Sequence, residues 1–395
     1  MSRITLGFLR AASIALFALM LAACAPSAGA PEAPPGAAVT RAPSPPIGAT
    51  ATRGGGTATA PALTPTTVAI TAAPSASTGD TITISAVGDI SLARQVVDRM
   101  QADGADYPYA LIAPLVDGDI GFANLEGALT ERGEPWPKGY NFRTPPRFAP
   151  GLARGRFNVV TLANNHMLDY GVIGMQDTIA ALDAAGIKHA GAGDNRAQAA
   201  LTPAIVEAHG LRVAFVACVL TPTEGGGFDI QAWGAGAGAP GIAVCDAALL
   251  REAIAGARKA ADFVVVAVHA GTEYDNAPNA TQRELAEVAM GAGADVYLGA
   301  HAHVVQPVER RGAQLIAWGL GNFIFDLDSA DLANIPRPRV SLILDFTLTK
   351  GAGVTSYRVI PVTLDEEQDR PRPATPDEAA ILRQLAGPGG DSGGP

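Results

Sequence analysis

Between residues 79 and 364 the apolar positions fall into short runs separated by segments of helical period. Runs rich in β-branched and aliphatic residues predict strands over 81–87, 120–124, 159–162, 204–206, 213–219, 263–268, 296–298, 315–318, 340–348 and 356–362. Between several of them the period changes. Met175, Ile179 and Leu182 share one face of a helix expected over 174–185 and ended by Gly186, and 247–260 and 280–292 have the same character. A strand–helix–strand rhythm early, with longer β-rich stretches late, predicts an α/β fold. No internal repeat interrupts it.

Outside that span the pattern fails in two ways. Residues 1–23 carry Arg3 and Arg10 and a short apolar stretch over 11–21, too short to cross a bilayer comfortably, and read as a secretory signal. The signal ends in Leu21-Ala22-Ala23-Cys24, which resembles a bacterial lipobox; that implies cleavage before Cys24 and lipidation of its thiol. Residues 24–78 are almost wholly Ala, Pro, Gly, Ser and Thr and lack the large apolar groups needed to offset chain entropy, so they read as a disordered linker behind the lipid anchor. Residues 365–395, acidic and Pro-rich and then Gly-rich, read as a disordered tail. The folded part is then one domain over 79–364, enough chain for a sizeable core. The expected location is extracytoplasmic, as a bacterial membrane-anchored lipoprotein.

A net charge of −10 argues against a nucleic-acid partner, which requires a basic surface. Of the three cysteines, Cys218 lies in an apolar run and reads as a small buried hydrophobe, with a disulfide to Cys245 as the open alternative.

Candidate chemistry lies at the carboxyl ends of the expected strands, where open α/β sheets place their sites. Four of the six histidines are there: His166 in Asn164-Asn165-His166-Met167-Leu168-Asp169, His269 after the 263–268 run, and His301-Ala302-His303 after 296–298. Neutral imidazoles mixed with oxygen ligands suit a divalent transition metal. Asp89 ends the first strand and Glu126 follows the second; Glu126 is the candidate bridge between two ions. Asp169, three residues after His166, is placed to orient that imidazole as a general acid. Arg94 and Arg143 are candidate clamps for a substrate phosphate or carboxylate, while Lys138 reads more readily as surface charge.

The ordered set Ala86-Val87-Gly88-Asp89, Asn124-Leu125-Glu126, Asn164-Asn165-His166-x-x-Asp169-x-Gly171, His269-Ala270-Gly271-x-Glu273-Tyr274, Gly299-x-His301-x-His303-Val304-x-Gln306 and Gly319-Leu320-Gly321-Asn322-Phe323 resembles the CapA family of poly-γ-glutamate capsule proteins, itself similar to calcineurin-like metallophosphoesterases. The resemblance implies a four-layer α/β/β/α sandwich, metallophosphoesterase-like, with two divalent ions, Mn, Fe or Zn. Asp89, Glu126 and His303 would hold one ion; Glu126, Asn165, His269 and His301 would hold the other. His166 and Asp169 would form the catalytic dyad. The implied function is capsule biosynthesis by a metal-dependent hydrolase using a metal-activated hydroxide, with an anionic polymer or phosphoester substrate and capsule-synthesis partner proteins. A non-catalytic polymer-binding or scaffold role is the alternative. One departure stands out: the wider superfamily usually has Asp-x-His in its first motif, where this chain has Asp89-Ile90-Ser91. The first ion would have one ligand fewer, made up by water or Asn124 or not at all.

Overall fold

The computed structural model describes residues 79–224, 227–327, 339–365 and 370–386. The signal segment, Cys24 and the linker lie outside the described residues. Every strand expected from the apolar runs is present. The chain opens with four strands of a first sheet: β1 (Thr81–Ile90), β2 (Ile120–Leu125), β3 (Val159–Thr161) and β4 (Lys188–Ala190). It then builds a second sheet from β5 (Ala204–Ala208), β6 (Leu211–Leu220), β7 (Phe263–Ala270), β8 (Val296–Ala300), β9 (Val308–Arg311) and β10 (Gln314–Ala317). It returns to the first sheet with β11 (Asn322–Ile324), β12 (Val340–Thr349), β13 (Gly353–Leu364) and β14 (Pro371–Pro373).

The first sheet runs β14-β13-β12-β1-β2-β3-β4 with β11 beside the end of β1, and the second runs β9-β10-β8-β7-β6-β5. β1 to β4 are mutually parallel, as are β6, β7, β8 and β10. Parallel strands are covered on both faces, which is why they read as unbroken apolar runs and not as alternation. β7 is buried at every position. Phe122 of β2 stacks on Phe215 of β6, ring centroids 5.6 Å apart, and links the sheets through the core. The helices α1 (Gln95–Asp103), α2 (Ala149–Arg154), α3 (Gly171–Ala184), α4 (Ala247–Ala260) and α5 (Ala280–Gly291) fill the crossovers, with α4 and α5 against the second sheet. The Asp246 side chain caps α4, and an Asn279–Gln282 capping box starts α5.

Two expectations are corrected. Cys218 and Cys245 form a disulfide, Cα atoms 5.0 Å apart. A bridge between Val219 and Val244 carries the chain back alongside β6, and this pairing brings the thiols together. Part of the expected tail is also structured. β14 adds to the sheet edge, and α6 (Pro376–Ala386) buries Ala379, Leu382 and Ala386. The α6 entry is closed by Glu378, which accepts from the Thr375 amide and forms a two-pronged pair with Arg372. A segment that looks Pro-rich and polar therefore still has three apolar residues, two alanines and a leucine, on one helical face.

Candidate metal centre

The strand register sets the site. Asp89 in β1 stands beside Asn124 in β2, which stands beside Thr161 in β3, so the residues after these strand ends emerge as neighbours. In the second sheet His269 stands beside Ala300, and His301 and His303 follow directly. Close backbone approach holds the strands in place. A Cβ on Gly88 would lie 1.9 Å from the Gly321 carbonyl oxygen, and one on Gly299 1.8 Å from that of Trp318. Only glycine fits at either position. His301 (φ 85°) and His303 (φ 57°) both adopt left-handed backbone, a strained conformation for histidine that the surrounding packing has to impose.

All six expected ligands converge. Asp89, Glu126 and His303 present ligand atoms within 4.8 Å of one another, and all are buried. His269 Nε2 lies 3.9 Å from Glu126 Oε1 and 2.8 Å from Asn165 Oδ1. The His269 and His301 rings are 4.8 Å apart between centroids. Glu273 joins His301 and His303 as a second cluster at the more exposed side. Glu126 is thus central to four of the groups: His166, His269 and His303 each approach its Oε1 to between 3.8 and 4.0 Å, and Asp89 shares its cluster.

The electrostatics test whether a cation belongs here. Glu126 is 0% exposed, and neither carboxylate oxygen has a hydrogen-bond partner among the described residues; buried His301 Nδ1 has none either. Leaving such groups unsatisfied costs about 1–3 kcal/mol each, more when charged. Burial holds the Glu126 carboxyl well above the usual range, and Asp89 and Glu273 push the same way. Asp89 is raised by burial against the pull of His303. Burial, then neighbouring imidazoles, drives His269 and His301 well down. Buried carboxyls held above their usual range beside imidazoles held below theirs are an environment that a divalent cation relieves, and the mixed nitrogen and oxygen donors fit one.

Asn124 is not free to replace the missing first-motif histidine. Its amide nitrogen donates to Asp89 Oδ1 (2.8 Å) and contacts His269 Nδ1 (3.2 Å), while its oxygen accepts from Thr161 and Asn164. It orients the ligands instead. Ser91 is buried, with its amide bonded to the Ile324 carbonyl. Asn322 contacts His303 Nδ1 at 2.8 Å.

His166 and Asp169 pair as expected, Nδ1 to Oδ2 2.8 Å, with Phe142 stacked on the imidazole at 4.1 Å. Nε2 is left facing Glu126 Oε1 at 3.8 Å. Burial pushes His166 down to about 4; Asp169 pulls it up and Lys138 pushes it further down. Lys138 overturns its reading as surface charge. It is 1% exposed, lies 2.9 Å from Asp169 Oδ1 and bonds to the Asn165 carbonyl. Phe228 and Trp233 box its ammonium at 5.2 and 5.0 Å. Glu224, which the sequence did not flag, accepts from Asn165 Nδ2 at 2.7 Å. Arg94 is held by Asp326 at 3.2 Å, and exposed Arg143 lies 4.5 Å over the Tyr170 ring.

Known proteins resemble this chain over most of its folded part. The family described as bacterial capsule synthesis protein PGA_cap matches residues 83–327, more than half of the chain. The PGA biosynthesis protein CapA of Bacillus subtilis is 32% identical over 312 residues, covering 78% of each chain. The capsule biosynthesis protein CapA of Bacillus anthracis is 30% identical over 317 residues, 77% of this chain and 72% of that one. A solved structure of a hypothetical protein from Thermus thermophilus covers 71% of this chain and 98% of its own at 16% identity and a TM-score of 0.43. The chain belongs to the bacterial capsule synthesis PGA_cap family, with CapA proteins among its relatives.

Proposed function

We propose that the chain is a metal-dependent hydrolase acting in capsule production, on a phosphoester or on the anionic poly-γ-glutamate chain that the names of its relatives suggest. Asp89, Glu126 and His303 would hold one divalent ion, and Glu126, Asn165, His269 and His301 a second. Bound there, the ions would supply Lewis acidity and an activated water. The residues do the rest. Asp169 holds His166 by Nδ1, so Nε2 faces the centre and gives the proton to the leaving oxygen. An arriving anionic substrate raises this imidazole from its low resting value toward the protonated form that the step requires. Phe142 and the aromatic box exclude water on that side.

The observation that carries this reading is the buried His166–Asp169 pair, with its free nitrogen 3.8 Å from Glu126. A pure binding protein has no need of it. The disulfide supports an oxidising, extracytoplasmic location, in keeping with lipidation at Cys24 and a membrane anchor. The contacts of α4 and α5 on the second sheet, and of Phe122 with Phe215 between sheets, support the α/β/β/α layering.

The test is turnover of phosphomonoester, phosphodiester and poly-γ-glutamate substrates by the full chain with Mn²⁺, Fe²⁺ or Zn²⁺. His166→Ala is expected to lower kcat by about 10²–10⁴-fold while leaving metal affinity within a few-fold. No turnover above that variant with any of the three ions sinks the hydrolase reading and leaves polymer binding.

A further inference from the structure

The Lys138 side chain, 1% exposed, touches both halves of the centre. Its ammonium has three N–H groups to place. One bonds to the Asn165 carbonyl. Asp169 Oδ1, the carboxylate oxygen that His166 does not use, has no hydrogen-bond partner among the described residues but is ion-paired to the ammonium at 2.9 Å. Glu224 Oε2 stands further off at 3.9 Å. Lys138 Nζ also comes within 3.4 Å of His166 Nδ1, but that nitrogen already faces Asp169 at 2.8 Å. A neutral imidazole cannot accept from the lysine there and donate to the carboxylate at once.

The consequences run in two directions. Toward the dyad, Asp169 Oδ2 accepts from His166 Nδ1 and from the Phe142 amide, and Oδ1 rests against Lys138. These contacts hold the carboxylate beside Nδ1, an arrangement that favours the tautomer protonated there, with Nε2 on the Glu126 side. Toward the ligands, Lys138 holds the Asn165 backbone while Glu224 takes the side-chain Nδ2. That leaves Asn165 Oδ1 turned to His269. The boxed lysine is itself out of reach of any substrate at 1% exposure.

We propose that Lys138 is a positioning residue that couples the His166–Asp169 pair to the amide ligand Asn165, with Glu224 completing the Asn165 side of the clamp. This rests on the site reading above, yet its readouts do not require turnover. The experiment uses the full chain, selectively ¹⁵N-labelled at histidine and free of metal, together with calorimetric titration of Mn²⁺. In the unmodified protein the His166 Nδ1 is expected to be protonated and Nε2 pyridine-like; the reverse tautomer overturns the proposal. Lys138→Met is expected to lose the single tautomer and also to weaken Mn²⁺ binding by about 10–100-fold, the usual effect of removing an outer partner. Glu224→Ala is expected to weaken Mn²⁺ binding while keeping the His166 tautomer. A folded Lys138→Met protein with both readouts unchanged overturns the coupling.

If Lys138→Met does not fold, the unmodified protein decides. ¹⁵N-lysine labelling is expected to give a slowly exchanging ammonium signal coupled through its hydrogen bond to the Asn165 carbonyl carbon, and a fast-exchanging Lys138 ammonium overturns the proposal. An inactive but correctly clamped protein would instead sink only the hydrolase reading.

Discussion

Two buried carboxylates of the first sheet, one on each side of β1, have opposite fates. Asp345 in β12 accepts from Ser85 Oγ at 2.7 Å and from Arg358 Nε at 2.8 Å, and Arg358 reaches on to Asp117. Glu126, just beyond β2, has no hydrogen-bond partner among the described residues for either oxygen. Burial raises both groups, but at Asp345 the Ser85 and Arg358 bonds pull back, whereas at Glu126 the nearest acids add to the rise. The contrast separates structure from chemistry. A carboxylate satisfied by its own chain ties strands together. One left wanting, among neutral imidazoles, is held in reserve for something the chain does not supply.

The largest expected effect breaks that contrast at Glu126. Glu126→Gln removes the central charge, so Mn²⁺ affinity by calorimetry should fall by at least about 100-fold, beyond what outer partners usually cost. The same change should raise the metal-free stability in urea at neutral pH, because the amide cannot ionise and escapes the burial penalty on a charged carboxylate. Loss of stability without loss of affinity would put Glu126 with Asp345 as a structural group.

Asp345→Ala should show the converse. Denaturation should report a loss of about 1–3 kcal/mol as Ser85 and Arg358 lose their acceptor, with Mn²⁺ affinity unchanged. A change in affinity would mean that the β1 register transmits strain to Asp89.

The smallest effect lies at the chain's far edge. Arg372 holds the Glu378 carboxyl down at about 2, against 4.5 for the unperturbed group. A depressed acid contributes stability above its unfolded value and loses it as pH falls. The docking of α6 should therefore weaken between about pH 4.5 and 2, followed by hydrogen exchange of its amides, while Arg372→Ala should shift this loss to higher pH and flatten it. Exchange that is indifferent to pH in that window would show that Ala379, Leu382 and Ala386 hold α6 without the ion pair.

The candidate ligand set was legible because each member lies at or just after the end of an apolar run. Parallel strands place such residues at one edge, so His269, His301, His303, Asp89, Glu126 and Asn165 could be picked out from the chain alone. What surrounds them was not legible. Lys138 looked like surface charge because nothing near it in sequence covers it; Phe228 and Trp233, far along the chain, do so. Glu224 reaches Asn165 across a separation of 59 residues. Asn124 read as a spare ligand until its amide proved to be spent on Asp89 and His269. The tail was misread because polar composition masked one small apolar face on α6.

The sequence by itself determined the strands, the order of the ligands and the family, since local period and motif spacing are properties of the chain taken a few residues at a time. Only the tertiary structure decided which buried groups are satisfied and which are not, where Lys138 points, and that Cys218 meets Cys245. Burial and hydrogen bonding depend on distant segments arriving at one place, and no local pattern encodes that arrival.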